Sequence, residues 1–199
     1  MNFEKYYLLD TNILLEDARN IFKLSDSTKN LIILSETVLD ELDSKKSGYD
    51  EINFQAREFA RILENSEVLS SNKYEDFKII RLKLINQDET ILDIISKDEY
   101  TINSKNISLN ILNDRKILEV AKFAKNYYNK DIKFVSMDIM ARTRAISLDI
   151  KSVALHGKDS DKFDFDFIKN IDINFEDLEN LDNQDIINFD KEYKVSDFS

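Results

Sequence analysis

Short apolar runs separated by helical patterns are the feature that most restricts what this chain can fold into. Four such runs, at residues 5–9, 31–34, 132–136 and 150–155, are rich in aliphatic or aromatic side chains. A strand that is covered by helices on both faces has this composition, because neither face needs polar residues. Since helical patterns separate the runs, the sequence predicts an α/β domain with a central, mainly parallel sheet.

The segments between these runs carry the spacing of amphipathic helices. Ile52, Ala56, Phe59, Ala60 and Leu63 recur on one helix face,. The remaining predictions are a helix in two pieces at 12–24, a helix capped by Ser35, a strand at 77–85, a short helix at 90–95, a helix that Asn113 or Asp114 begins, and a helix at 138–147,.

Composition excludes several classes of chemistry. The 199 residues include no Cys and one His, His156, which excludes disulfide scaffolds and thiolate or His-rich metal sites,. A lone His is more often structural than a ligand, and it argues against a Ser-His-Asp triad. The two glycines, Gly48 and Gly157, are too few and too far apart for a Gly-rich phosphate loop, so no nucleotide cofactor is expected,. Carboxylates and hydroxyls remain as the reactive groups.

The sequence carries no signal for a membrane or for secretion. No apolar run approaches the ~20 residues of a membrane span, and MNFEKYYLLD lacks the basic flank and cleavage site of a signal peptide,. The abundance of Lys, Asn, Ile and Asp suggests an AT-rich bacterial or phage genome. We therefore expect a cytoplasmic protein of bacterial or phage origin.

The net charge of −11 is concentrated near the C-terminus. Residues 158–199 carry 13 acidic and five basic side chains, whereas residues 1–157 carry 26 and 23. We therefore expect an α/β domain at 1–157 and an acidic, Phe-containing extension at 158–199. Phe and Asp alternate within Lys162–Phe167, which predicts that this stretch packs against the domain or a partner while the rest covers basic residues and acts as a brake,. A linker to a following domain is an equal alternative. A global basic field is absent, so nucleic acid would need a local patch.

Four acids stand out because they lie next to predicted strands or helix starts. They are Asp10, Glu41, Asp114 and Asp138. Ligands bind at the carboxyl ends of parallel strands, and clustered carboxylates repel one another unless a hard cation such as Mg²⁺ or Mn²⁺ neutralises them. The alternative for Asp114 and Asp138 is helix capping, whereas Asn12 could cap the helix after Asp10. Glu41 could simply be exposed. Spacing alone leaves these alternatives open.

The same acids lie in motifs that occur in a known family. The chain contains, in order, LLDTNILL, VLDELDSKK, NDRKILEVA and FVSMDIMARTRAISLDI, with Gln55-Ala56-Arg57 on a helix between the second and third. These motifs resemble those of PIN-domain nucleases, in particular the PIN domain at the N-terminus of PhoH-like proteins. The resemblance covers about residues 5–157, with 67–110 unmatched in detail. The ATPase module of PhoH-like proteins has no counterpart here, because no P-loop is present.

This resemblance implies a three-layer α/β/α fold and metal-dependent hydrolysis of phosphodiester bonds, usually in single-stranded RNA. It assigns Asp10, Glu41, Asp114 and Asp138 as catalytic and metal-binding residues for Mg²⁺ or Mn²⁺. Asn12 would orient Asp10, and Ser136 would support the site near Asp138. In that mechanism a metal-activated water attacks the phosphorus. The resemblance also implies a homo-oligomer, most simply a dimer.

Several basic residues are candidates for contacts with the nucleic-acid backbone, with Arg57 and Arg142 favoured, although a solvated helix face explains any single one of them better. They are Lys45, Lys46, Arg57, Arg61, Arg115 and Arg142. The competing functions are a structure-specific DNA nuclease, a catalytically silent PIN fold that binds nucleic acid or serves in assembly, and a toxin. The length, which exceeds that of a typical toxin PIN domain, argues against the toxin.

Overall fold

The computed structural model describes residues 2–85, 89–100 and 108–155, together with two short strands near the C-terminus. The chain divides into two compact units, Met1–Phe163 and Asp164–Ser199. The predictions for His156 and for Lys162–Phe167 lie outside the described residues.

The first unit is built on a seven-stranded sheet with the order β3-β4-β5-β2-β1-β6-β7. The neighbours within β5-β2-β1-β6-β7 are all parallel, whereas β4 pairs antiparallel with both β3 and β5. The prediction of a mainly parallel sheet is confirmed. The strands are β1 (Lys5–Leu9), β2 (Asn30–Ser35), β3 (Ser66–Tyr74), β4 (Phe77–Leu84), β5 (Ile91–Lys97), β6 (Ile132–Val135) and β7 (Lys151–Val153).

Six helices connect these strands in the described part of the chain. Ser35 caps α3 as predicted, since its hydroxyl accepts a hydrogen bond from the Val38 N–H at 3.4 Å. The Asp138 carboxylate caps α6 in the same way, accepting from the Met140 N–H at 2.7 Å. The helices are α1 (Thr11–Glu16), α2 (Asn20–Ser25), α3 (Glu36–Ser44), α4 (Glu51–Glu64), α5 (Leu109–Tyr128) and α6 (Ile139–Ile146).

The path of the chain across the sheet creates a crevice beside β1. From β1 the chain steps to β2, then to the edge strand β3, and comes back through β4 to β5 beside β2. After β5 it crosses to the other side of β1 for β6 and β7. Since crossovers between parallel strands are right-handed, this reversal places α1 and α2 on one face of the sheet and α5 and α6 on the other. The result is a three-layer α/β/α fold. Its strand order reverses between β1 and β6, where open α/β sheets bind their ligands.

Three local predictions were wrong. Residues 90–95 are not a helix: β5 begins at Ile91, because Ile91, Ile94 and Ile95 are β-branched and this strand lies inside the sheet,. The long helix α5 begins at Leu109 after Ser108, so Asp114 lies within it and is not its cap. The residue that caps α1 is Asp10 and not Asn12.

The core of the first unit lies on both sides of the central strands. Every residue of β2 is buried, as are four of the five in β1. The described residues include no helix that is both long and apolar enough to cross a membrane. In the second unit, β8 (Asn170–Ile171) pairs antiparallel with β9 (Val195–Ser196).

Candidate active site

Asp10 is a buried carboxylate at the carboxyl end of β1. It is 6% exposed, and the turn from strand to helix fixes its position. Its Oδ1 accepts a hydrogen bond from the Thr11 N–H at 2.8 Å, which caps α1. Its Oδ2 accepts from the Asn12 amide at 2.7 Å and from the Ser136 hydroxyl at 2.6 Å. Both carboxylate oxygens are therefore held by donors, and the side chain has one orientation.

Asn12 and Ser136 join the ends of β1 and β6 across the crevice. The Ser136 Oγ accepts from the Asn12 amide at 3.1 Å and from the Asp138 N–H at 3.0 Å. The Asn12 Oδ1 accepts from the Met137 N–H at 3.0 Å. This closed network leaves no freedom at the position where the two loops meet, and it ties the orientation of Asp10 to the start of α6.

Glu41 reaches the same region from α3. Its Oε2 accepts a hydrogen bond from the Thr11 hydroxyl, and its Oε1 accepts from the Asn113 amide at 2.6 Å. Thr11 follows Asp10, and Asn113 precedes Asp114. The Glu41 carboxylate is partly buried. Through these two hydrogen bonds it joins the segments that carry Asp10 and Asp114.

Asp114 and Asp138 complete the group of four acids. Asp114 lies on α5, is partly buried, and forms an ion pair with Arg144 of α6. Asp138 is exposed just after β6, where its Oδ1 caps α6. For Asp138 the capping role that the sequence suggested is present together with its place beside Ser136.

The electrostatics of the acids show that they share one environment. Burial raises the pKa of Asp10 to about 6, the hydrogen bonds from Ser136 and Thr11 oppose this change, and the negative charges of Asp114 and Glu41 add to it,. Burial also raises the pKa of Asp114, Arg144 opposes the change, and Asp138 and Glu41 add to it. Each acid therefore makes ionisation of at least one other more costly.

The protein itself satisfies these carboxylates with hydrogen bonds and one ion pair. Among the residues that the structure describes, no three acidic or histidine side chains already converge as metal ligands. The acids are near enough to interact electrostatically. Protein donors contact both oxygens of Asp10 and of Glu41, Oδ2 of Asp114 and Oδ1 of Asp138.

The basic residues proposed from the sequence have diverse positions. The Arg57 Nη1 donates to the carbonyl oxygens of Lys46 and Gly48, both at 2.8 Å, so this guanidinium holds the loop between α3 and α4. Lys46 pairs with Asp43 on α3, and Arg61 pairs with Glu58 on α4.

Arg142 occupies a different environment from the one expected for a phosphate contact. It is 7% exposed, and its Nη1 donates to the Ser136 carbonyl oxygen at 2.6 Å. It supports the loop that carries Ser136. The two remaining candidates, Lys45 and Arg115, are exposed.

Sequence reasoning missed Thr11, Asn113 and Arg144. Thr11 and Asn113 are direct neighbours of Asp10 and Asp114, and that adjacency was the only available signal. Arg144 lies two residues after Arg142 on α6, and residues so spaced point about 200° apart on a helix. Only the rotation of α6 against α5 decides which of the two arginines reaches the acids.

Comparison with known proteins places this fold and site in context. The family model described as PIN domain matches residues 7–156. Protein PhoH2 of Bacillus subtilis (strain 168) is 38% identical over 60 residues, a match that covers 30% of this chain and 13% of PhoH2. A solved domain of a functionally unknown protein from Methanocaldococcus jannaschii DSM 2661 shares the fold with a TM-score of 0.51 at 16% identity, covering 78% of this chain and 94% of that chain.

Proposed function

Because this chain belongs to the PIN-domain family, whose members are generally nucleases, we propose that it is a metal-dependent endoribonuclease that hydrolyses single-stranded RNA. Asp10, Glu41, Asp114 and Asp138 are the proposed catalytic residues. RNA is the proposed substrate because the resemblance of the motifs to PhoH-like PIN domains implies it.

The observation that carries the proposal is the buried and oriented carboxylate of Asp10 at the crevice between β1 and β6. Burial of a charged group is unfavourable. Three hydrogen bonds nevertheless hold the Asp10 carboxylate in place despite the repulsion from the other acids. A purely structural cap of a six-residue helix would not need two further donors from Asn12 and Ser136. The arrangement instead matches a group whose position matters for a reaction.

The donor set fits a hard divalent cation, which PIN nucleases typically use. All four side chains offer carboxylate oxygens, the ligands that Mg²⁺ and Mn²⁺ prefer. Burial is the main cause that raises the pKa of Asp10 and Asp114, and the negative charges of the neighbouring acids add to it. These charges would also repel a phosphodiester, and a bound cation would offset that repulsion. Asp10, Glu41, Asp114 and Asp138 would hold it, and the bound ion supplies Lewis-acid stabilisation of the phosphate charge.

The chain's own residues position the reacting groups. Asn12 and Ser136 hold Asp10, Thr11 and Asn113 hold Glu41, and the α6 cap holds Asp138. Fixing these carboxylates before substrate arrives removes the reorganisation that flexible acids would require during the reaction. The exposed Lys45 and Arg115 are the proposed contacts with the nucleic-acid backbone.

The experiment is to compare the parent protein with an Asp10→Asn variant on labelled single-stranded RNA, single-stranded DNA and flap DNA, with Mn²⁺ or with EDTA. We expect cleavage of the RNA by the parent in Mn²⁺, none in EDTA, and a loss of at least about 100-fold in the variant. Asp26→Asn is the matched control, because Asp26 is an exposed carboxylate paired with Lys29.

The outcomes separate the alternatives. Preferential cleavage of DNA would replace the ribonuclease with a structure-specific DNA nuclease. A well-folded parent protein that cuts none of the substrates would favour a nucleic-acid-binding or assembly module. Near-parental turnover by Asp10→Asn in Mn²⁺ would remove Asp10 from the reaction.

A further inference from the structure

Two arginines on the short helix α6 have opposite surroundings. Arg142 points into the protein and donates to the Ser136 carbonyl oxygen. Arg144 points toward α5, where its Nη1 pairs with Asp114 Oδ2. The side chains of this pair are 29% and 19% exposed, so water screens it only partly,. Arg144 thus brings a positive charge into the group of acids that the proposed function uses.

This ion pair occupies a carboxylate that the proposed function needs for a cation. Arg144 lowers the electrostatic cost of keeping Asp114 ionised beside Glu41 and Asp138, both of which disfavour its charge. A half-buried carboxylate with two acidic neighbours and no cation would be costly. Arg144 therefore supplies in the free protein the neutralisation that a divalent ion would supply in the loaded one.

We infer that Arg144 is an exchangeable counter-ion of this site: it pairs with Asp114 while no divalent cation is bound, and it contacts a substrate phosphate once Asp114 turns to the cation. The inference rests on the proposed function and adds a residue that the motifs do not assign. A divalent cation carries twice the charge of a guanidinium, and Glu41 and Asp138 lie near to share it, so Asp114 changes partner. The released guanidinium remains at the crevice on α6, and its planar donors suit a phosphate.

An exchange of this kind makes a prediction with two opposite signs. Arg144 competes with the cation for Asp114, so its removal strengthens binding of the cation. Arg144 also contacts the substrate, so its removal weakens binding of the RNA. A merely structural ion pair would not give this pair of opposite effects, because damage to the site would weaken binding of both the cation and the RNA.

The test measures binding of Mn²⁺ alone by titration calorimetry, and KM for a single-stranded RNA at saturating Mn²⁺. For Arg144→Gln we expect Mn²⁺ to bind about threefold to tenfold more tightly, and KM to rise about tenfold. Arg144→Lys keeps the charge but not the planar donors, so we expect near-parental Mn²⁺ affinity with a raised KM. Lys151→Gln is the matched control. It removes one positive charge and the ion pair with Asp131 at the start of β7, at the amino ends of the strands and away from the acids.

Unchanged or weaker Mn²⁺ binding by a folded Arg144→Gln variant would overturn the inference and leave the proposed function standing. An Arg144→Lys variant with a parental KM would overturn the phosphate contact. Failure of the parent protein to bind Mn²⁺ at all would overturn both the inference and the metal-dependent function, which distinguishes the two failures.

Discussion

At the scale of single residues, Asp10 combines a buried position with a charge. Its hydrogen bonds from Thr11, Asn12 and Ser136 favour the ionised form, whereas burial and the nearby acids disfavour it. The balance raises its pKa to about 6. A carboxyl with such a pKa takes up its proton more readily in the folded chain than in the unfolded chain, which makes the stability of the protein depend on pH.

The sign of this dependence follows from the two pKa values of Asp10. Between about pH 4 and pH 6 the folded state binds a proton that the unfolded state has released, so the free energy of unfolding falls as pH rises through this window,. Over the whole window the free energy of unfolding falls by about 3 kcal/mol,. An Asp10→Asn variant has no proton to exchange, so we expect a flatter profile when melting temperatures are measured in EDTA from pH 4 to pH 7.

Ser136→Ala serves as the comparison for that profile. The Ser136 hydrogen bond lowers the pKa of Asp10, so its loss should raise that pKa and extend the fall in stability to higher pH. Parallel profiles for the parent and Asp10→Asn would show that Asp10 does not titrate in this range.

At the scale of secondary-structure elements, a buried ion pair holds β4, β5 and α5 together. The Asp93 carboxylate is fully buried on β5, and Arg81 of β4 binds it through two hydrogen bonds of 2.7 and 2.6 Å. The Tyr128 hydroxyl, near the end of α5, donates to the same carboxylate at 2.6 Å. Burial of the Tyr128 hydroxyl is the main cause that raises its pKa, and the negative charge of Asp93 is the next. The three elements thus share one polar network.

Asp93→Ala should therefore be severely destabilising. The substitution leaves the Arg81 guanidinium and the Tyr128 hydroxyl without this acceptor. Breaking a buried pair costs about 3–5 kcal/mol, and we expect the lower end because the Arg81 side chain is 28% exposed,. Urea unfolding would measure the loss. Asp98→Ala is the control, because Asp98 lies just beyond the end of β5 and pairs with Lys73 in full contact with solvent. A similar loss from both substitutions would show that the buried network does not hold these elements.

At the scale of the whole molecule, the charge of the second unit opposes the proposed substrate. Residues 164–199 carry 11 acidic and three basic side chains, so a chain that ends at Phe163 has a net charge of −3 in place of −11. The first unit contains the seven-stranded sheet and the core. Like charges repel at long range at low salt, which slows association with a polyanion such as RNA.

We expect the chain that ends at Phe163 to stay folded, with faster RNA association at low salt. Stopped-flow fluorescence would give the rates, and the difference from the full chain should disappear in about 1 M salt, where the screening length is about 3 Å. Loss of stability or solubility would instead favour the prediction that the extension packs as a structural arm. Equal rates and equal stability would leave it as a linker.

The sequence alone located the main strands, and it supplied the prediction of the four acids. Apolar runs at 5–9, 31–34 and 132–136 identified β1, β2 and β6, because a strand inside a parallel sheet must be apolar on both faces,. Asp10 and Asp138 could be placed at the sheet's carboxyl edge because each directly follows a predicted strand, and Glu41 and Asp114 beside it because they lie near predicted helix starts. The helix prediction for residues 90–95 was wrong, because an apolar run of that length fits either a strand or a buried helix until its neighbours are known.

Tertiary structure alone decided how those acids are held. Ser136 reaches Asp10, Asn113 reaches Glu41, and Arg144 reaches Asp114 across long separations in sequence. Such contacts depend on strand register and on the rotation of each helix about its axis. A helix face turns by about 100° per residue, so α6 could have presented Arg142 to the acids had it docked differently. Local patterns record periodicity and apolarity but not docking, and docking placed Arg142 inside the protein and Arg144 beside Asp114.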